Sequence, residues 1–289
     1  MRLVTFRTGA GQSGTALRVG RVDGDGADDD EVIELGLDGV RDVGALLATP
    51  GWRDAAATAT GPRHRFGDLD LAPVVPSPGK VVCVGLNYRP HILEMGRDLP
   101  EHPTLFAKFA GTLTGARDDI AVPPEDAATD WEGELVVVIG ERCRRADEHA
   151  ARRAIAGFTV ANDISMRTWQ FRTKEWLQGK VWEASTPVGP ALVTADAWQP
   201  GPPLSTRVNG DVVQSEATDQ LLFGPESLVA YVSTMITLEP GDLLLTGTPG
   251  GVGRAMDPPR YLRPGDLVEV AIEGLGAVRN VVVAERVGG

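Results

Sequence analysis

The run Asp130-Trp131-Glu132-Gly133-Glu134-Leu135-Val136-Val137-Val138-Ile139-Gly140 constrains this chain more than any other stretch. It starts in acid and ends in an unbroken aliphatic run closed by glycine, the pattern of a short strand covered on both faces. Side chains alternate along an extended chain, so Glu132 and Glu134 point to one side while Gly133 leaves the other side bare. Two carboxylates held so close repel. Protonation of one of them, Arg or Lys partners, or a divalent metal ion must offset that repulsion. A plainer alternative is a pair of exposed acids that keeps an edge strand from pairing with another chain.

A further acid bears on the choice. Gly157 to Asp163 reads as another short apolar strand that ends in an acid, followed by the polar Ser165, Arg167 and Gln170. Three carboxylates delivered from strand ends make an all-oxygen site. With no Cys or His in either segment, such a site suits a hard cation, Mg²⁺ or Mn²⁺ before Zn²⁺.

A net charge of −12 over 289 residues argues against nucleic acid and anionic membrane surfaces as partners. A small anionic substrate would need a local cationic site. Met1 to Gly20 has no apolar core of signal-peptide type and no run reaches membrane-spanning length, so the expected location is the cytoplasm. Cys83 and Cys143 form no disulfide framework or metal-ligand spacing, and each is expected to be buried and structural. Arg carries most of the positive charge. The lysines, Lys80, Lys108, Lys174 and Lys180, fall between residues 80 and 180, and each is expected to sit where a compact ammonium or a tunable pKa is of use.

Residues 1–73 read as a small N-terminal α/β domain and 74–289 as the larger domain, divided at the proline-rich Pro73 to Gly79. The small unit has strands at Arg2 to Phe6 and Ala16 to Val19, an acidic loop at Val22 to Glu31 whose spacing is wrong for a calcium loop, and a helix from Val43. In the larger unit a buried strand runs from Lys80 to Gly85, and Pro90 opens a helix. His91 and Glu94 then share one face, either as a carboxylate-oriented base or as an incidental surface pair. Gly96, Pro100 and Pro103 suggest that the segment is a mobile cover. Lys108 sits in an apolar extended run, where it snorkels or faces a polar cavity.

Asp147 to Ala156 reads as an exposed helix, and a strand is expected at Ala191 to Thr194, after Pro187 and Pro190. Asn209-Gly210 signals a type I′ hairpin. Ser227 to Met235 fits a helix packing Leu228, Val229, Val232 and Met235 on the core. The loop Thr246 to Gly253 matches neither phosphate-loop nor dinucleotide patterns, and reads as amides and hydroxyls brought close to a small anion.

Together these segments resemble the fumarylacetoacetate hydrolase family, from about Lys80 to Val283. The pieces that carry the likeness are Gly85-Leu86-Asn87-Tyr88 with His91 and Glu94, Asp130 to Gly140, Asn162-Asp163-Ile164-Ser165 with Arg167 and Gln170, Gly179-Lys180, and Leu238-Glu239-Pro240-Gly241-Asp242 leading to Thr246-Gly247-Thr248-Pro249. The resemblance implies an α+β, strand-rich mixed β-sandwich roll and a homodimer. It implies Mg²⁺, with Mn²⁺ or Ca²⁺ as alternatives, on Glu132, Glu134 and Asp163, a His91–Glu94 pair on a lid, and Tyr88, Lys108, Arg167, Gln170, Gly247 and Thr248 around a 2-oxo acid or 1,3-dicarbonyl substrate. Phe109-Ala110 and Glu183 depart from the family pattern near the expected pocket.

The activity expected first is metal-dependent C–C hydrolysis of an acylpyruvate-like 2,4-dioxo acid. His91 would activate the water, Lys180 would stabilise oxyanion charge, and Arg167, Gln170 and Thr248 would hold the carboxylate. The alternatives are decarboxylation of a β-keto acid such as oxaloacetate, hydration or isomerisation of an unsaturated 2-oxo acid, and a non-catalytic protein that only binds a dicarbonyl ligand.

Overall fold

The computed structural model describes residues 1–9, 15–94 and 98–286, with the side chains of His91 and Glu94 outside that description. The expected cover residue Gly96 also lies outside it. The fold is strand-rich and mixed. One large sheet runs, in spatial order, Arg63–Arg65, Glu31–Glu34, Ala16–Asp23, Arg2–Thr8, Thr186–Thr194, Ile155–Asn162, Gly133–Ile139, Leu243–Leu245, Val81–Gly85 and Thr104–Lys108. Its neighbours along this path are antiparallel except Leu243–Leu245 beside Val81–Gly85. A second sheet is ordered Asp211–Ala217, Pro203–Val208, Leu267–Ile272, Gly276–Ala284 and Ile120–Val122.

Gly133–Ile139 is buried along its whole length, and its alternation sorts the interior. Leu135, Val137 and Ile139 join Leu204, Val270 and Val278 of the second sheet and Leu228, Val229 and Val232 of the helix Pro225–Met235. Val136 and Val138 face the other way, into a cluster with Val43, Leu46, Val74, Val75 and Leu243. Each such side chain taken from water stabilises the fold by about 1.5–3 kcal/mol, so this strand is held from both sides.

Residues 1–73 continue the main sheet, with Arg2 opposite Val193 and Leu3 opposite Leu192. Their helix Val43–Leu47, capped by Asp42, packs into the second of the two clusters. The acidic loop is a tight turn in which Asp30 accepts from the Gly26 and Ala27 amides, as a solvated turn requires.

Two local expectations are corrected. Pro187 and Pro190 lie inside the strand Thr186–Thr194 rather than before it, because the ladder to Ile155–Asn162 shifts register between Phe158 and Val160, where a missing N–H is tolerated. Met235, expected on the core, is 56% exposed at the last turn of its helix, and Ser233 is buried instead. Of the cysteines, Cys83 is buried and Cys143 half-buried. The hairpin at Asn209-Gly210 forms with both residues at positive φ, 53° and 90°, as a type I′ turn demands. No helix among the described residues is long and apolar enough to cross a membrane.

Candidate active site

Glu132 and Glu134 flank Gly133 on the face of their strand turned away from the second sheet. A Cβ at Gly133 would lie 2.5 Å from Thr206 Oγ1 and 2.8 Å from Val270 Cγ1, so the absent side chain is what lets the two sheets close. Asp163 follows the neighbouring strand. Its amide donates to the Glu132 carbonyl at 2.8 Å, and the Glu132 amide donates to Asn162 Oδ1 at 3.0 Å. The two strand ends are thereby knitted, and Glu132, Glu134 and Asp163 bring ligand atoms within 4.8 Å of one another. All three are buried, which removes the exposed-edge alternative.

Cations already surround these acids. Lys180 Nζ donates to Glu132 at 2.6 Å and to Asp163 at 2.7 Å. Lys108 Nζ donates to Asp163 at 2.7 Å and also to the Lys180 carbonyl. Arg167 lies 2.6 Å from Glu132 and donates to Asp130 at 2.8 Å. Among the described residues Glu134 has only a backbone donor, the Gly247 amide at 2.7 Å. Burial, then Asp163 and Glu132, push the Glu134 carboxyl well above the usual range. Burial would also raise Asp163, but Lys108 and Lys180 outweigh it and hold its carboxyl below the usual value. Burial would pull the Lys180 ammonium down, yet Asp163 and Glu132 drive it up, so it stays charged.

The donor set fits a hard divalent ion: three converging carboxylates, all oxygen, with Glu134 lacking a cationic partner among the described residues. With Asp130 included, four carboxylates face three cations. A doubly charged ion would turn that excess of negative charge into a positive one, matched to a substrate carboxylate or enolate.

A cleft of about 420 Å³ opens beside the acids, lined by Glu132, Arg167, Gln170, Lys180 and Thr248 on its polar side and by Val84, Leu86, Phe106, Phe171, Trp176 and Val252 on its apolar side. Trp176 packs on Gly85, where a Cβ would sit 2.2 Å from its ring. Arg167 lines the cleft, where its Nη1 donates to Gln170 at 2.9 Å, and its Nη2 is buried with no partner among the described residues.

Other expected residues are placed differently. Tyr88 is wholly buried in the core and its phenol is raised by burial, so it is not part of the cleft wall. Lys108 and Gly247 serve the acids from beneath rather than facing the cleft. The loop amides expected to meet an external anion are partly taken by the protein's own carboxylates, since Gly253 and Arg254 donate to Asp130 at 2.7 and 3.0 Å. Phe109 is 59% exposed and neither it nor Glu183 lines the cleft. Trp169 and Trp182 meet edge-to-face at 5.2 Å, leaving Trp176 as the tryptophan on the cleft wall.

Sequence patterns did not single out Asp130 and Gln214. Asp130 ties Arg167 to the 253–254 turn. Gln214 accepts from the Gly133 amide at 3.0 Å and donates to Thr248 Oγ1 at 2.8 Å. A buried Gln in a hairpin strand has no local signature.

Residues 80–283 match the family described as fumarylacetoacetate (FAA) hydrolase, C-terminal. The chain belongs to the fumarylacetoacetate hydrolase family. An oxaloacetate tautomerase, mitochondrial, of Rattus norvegicus is 48% identical over 216 residues, 74% of this chain and 69% of that protein. Among solved structures, a fumarylacetoacetate hydrolase from Exiguobacterium antarcticum superposes with a TM-score of 0.84 at 30% identity, covering 99% of this chain and 100% of that one. A 5-carboxymethyl-2-hydroxymuconate delta-isomerase from Mycobacterium smegmatis gives 0.79 at 32% identity, with the same coverage of both chains. Within the fumarylacetoacetate hydrolase family, the chain is thus similar to isomerising and tautomerising enzymes as well as to a hydrolase, and its own function is enzymatic.

Proposed function

We propose that this enzyme tautomerises a 2-oxo acid of the oxaloacetate type, moving a proton between C3 and the C2 oxygen. The observation that carries the proposal is the pairing of a buried carboxylate triad with two charged side chains, Lys180 and Arg167, on the wall of the adjoining cleft. The names of the relatives favour it over hydrolysis of an acylpyruvate, which the sequence alone placed first.

Arg167 would take the C1 carboxylate, with Gln170 and Thr248 fixing its orientation. Lys180 Nζ, held by Glu132 and Asp163, would face the C2 oxygen as negative charge develops there. Phe106 and Trp176 would exclude water from the reacting carbons. Glu132, Glu134 and Asp163 would hold Mg²⁺, which when bound supplies Lewis-acid stabilisation to the 2-oxo acid oxygens. The base proposed for the C3 proton is His91, oriented by Glu94. Their helix Arg89–Glu94 begins just after the cleft-lining Leu86, which is held at φ 56°.

Keto–enol equilibration of oxaloacetate, followed by enol absorbance with Mg²⁺ present, tests the proposal. Acceleration by the wild type is expected, with a loss of about 10²–10³-fold in Lys180→Met. Pyruvate appearing with CO₂ would point to decarboxylation through the same enolate. Cleavage of an acylpyruvate with no effect on the enol would reinstate hydrolysis.

A further inference from the structure

The cleft carries another cation that the proposed proton transfer leaves idle. Arg254 lines it from the short turn Gly253–Ala255. Among the described residues no carboxylate pairs with its guanidinium, although its side chain is exposed. Two contacts hold it in place. Its amide donates to Asp130 Oδ2 at 3.0 Å, the same oxygen that accepts from Arg167 Nε at 2.8 Å, so one buried carboxylate anchors the Arg254 backbone and the Arg167 side chain together. Its guanidinium lies 3.8 Å from the centroid of the Phe171 ring, itself 45% exposed on the cleft wall. Stacking of this kind occupies the flat face of the fork and leaves its N–H edge for an anion.

A cleft lined by Arg167 and Lys180, by an apolar wall and by a guanidinium stacked on Phe171 matches a ligand that carries more than one negative charge. We propose that Arg254 binds a carboxylate remote from the 2-oxo group, and so selects 2-oxo dicarboxylates over 2-oxo acids whose distal end is neutral. This rests on the cleft being a 2-oxo acid site, as proposed above, but not on which reaction follows binding.

Calorimetric titration of the Mg²⁺-loaded protein with two ligands tests it: oxamate, which has the 2-oxo acid head alone, and oxalylglycine, which adds a remote carboxylate. The wild type is expected to prefer oxalylglycine, and Arg254→Ala to reduce that preference about tenfold or more. Arg254→Lys should retain part of it, as a point charge without the stacked fork. A parallel kinetic comparison of oxaloacetate with its 4-methyl ester should show the loss in Arg254→Ala as a raised KM for the diacid. A preference that is the same in wild type and Arg254→Ala would overturn the assignment even if oxaloacetate is turned over. An Arg254-dependent preference without turnover would uphold it and remove only the tautomerase proposal. Failure of the wild type to bind either ligand would end both.

Discussion

Lys108 shows how much of this site depends on single buried side chains. It is fully enclosed, and its ammonium is one of two that keep Asp163 ionised. Removing one partner of such a pair leaves a charge without compensation, at a cost of about 3–5 kcal/mol. Lys108→Met is therefore expected to lower stability by that order in urea unfolding of the metal-free protein. A variant as stable as wild type would show that Lys180 alone suffices for Asp163. The lysine bias in the sequence pointed to the right region, yet period-two alternation could not say whether Lys108 met solvent, substrate or acid. Only the return of Asp163, at the end of a strand four places away in the sheet, decides it.

At the scale of elements, the glycine between the two acids does separate work from them. Gly133 faces the second sheet, and Thr206, Val270 and Leu204 occupy the space a side chain would need. Gly133→Ala is expected to destabilise by about 1–3 kcal/mol through overpacking, measured by thermal unfolding. Since the displaced atoms belong to the opposite face, the acids should still converge. A drop in activity without a drop in stability would contradict that division of labour. The alternation around this strand could be read directly from residues 130–140. The identity of the opposing sheet could not, because it comes from strands some 70 to 140 residues later in the chain.

Across the whole molecule, the N-terminal residues are joined to the rest by more than sheet pairing. Arg7 donates to Asp118 at 2.7 and 3.0 Å and to Asp70 at 2.7 Å. Burial would raise the Asp118 carboxyl, but hydrogen bonds from Arg7, Thr114 and the Gly115 amide outweigh it and hold it below the usual value. A carboxyl lowered by folding contributes stability that is present above its unfolded value, near 3.8, and is lost as pH falls through its folded value. Asp118→Asn is expected to cost about 1–2 kcal/mol at neutral pH, the groups being partly exposed, and to flatten the acid limb of the stability curve. An unchanged acid limb would place the pH sensitivity elsewhere. Metal binding belongs to this scale too, because the triad exists only once the two strands have met. A divalent ion binding only the native state adds about 2.7 kcal/mol at a hundredfold excess over Kd. Melting temperature should therefore rise with Mg²⁺ and fall with chelator, and the rise should vanish in Glu134→Gln.

Local patterns were enough to locate the acid-bearing strand, its neighbour leading to Asp163, the Asn209-Gly210 hairpin and the helix with Pro90 in its first turn, since each depends on alternation or turn chemistry within a few residues. The order of these pieces carried the family. The tertiary structure alone decided that Tyr88 belongs to the core, that Gly253 and Arg254 spend their amides on Asp130, and that Arg254 and Trp176 share the cleft wall. Contacts of that kind are set where distant segments pack together, and sequence spacing holds no information about the direction from which a partner arrives.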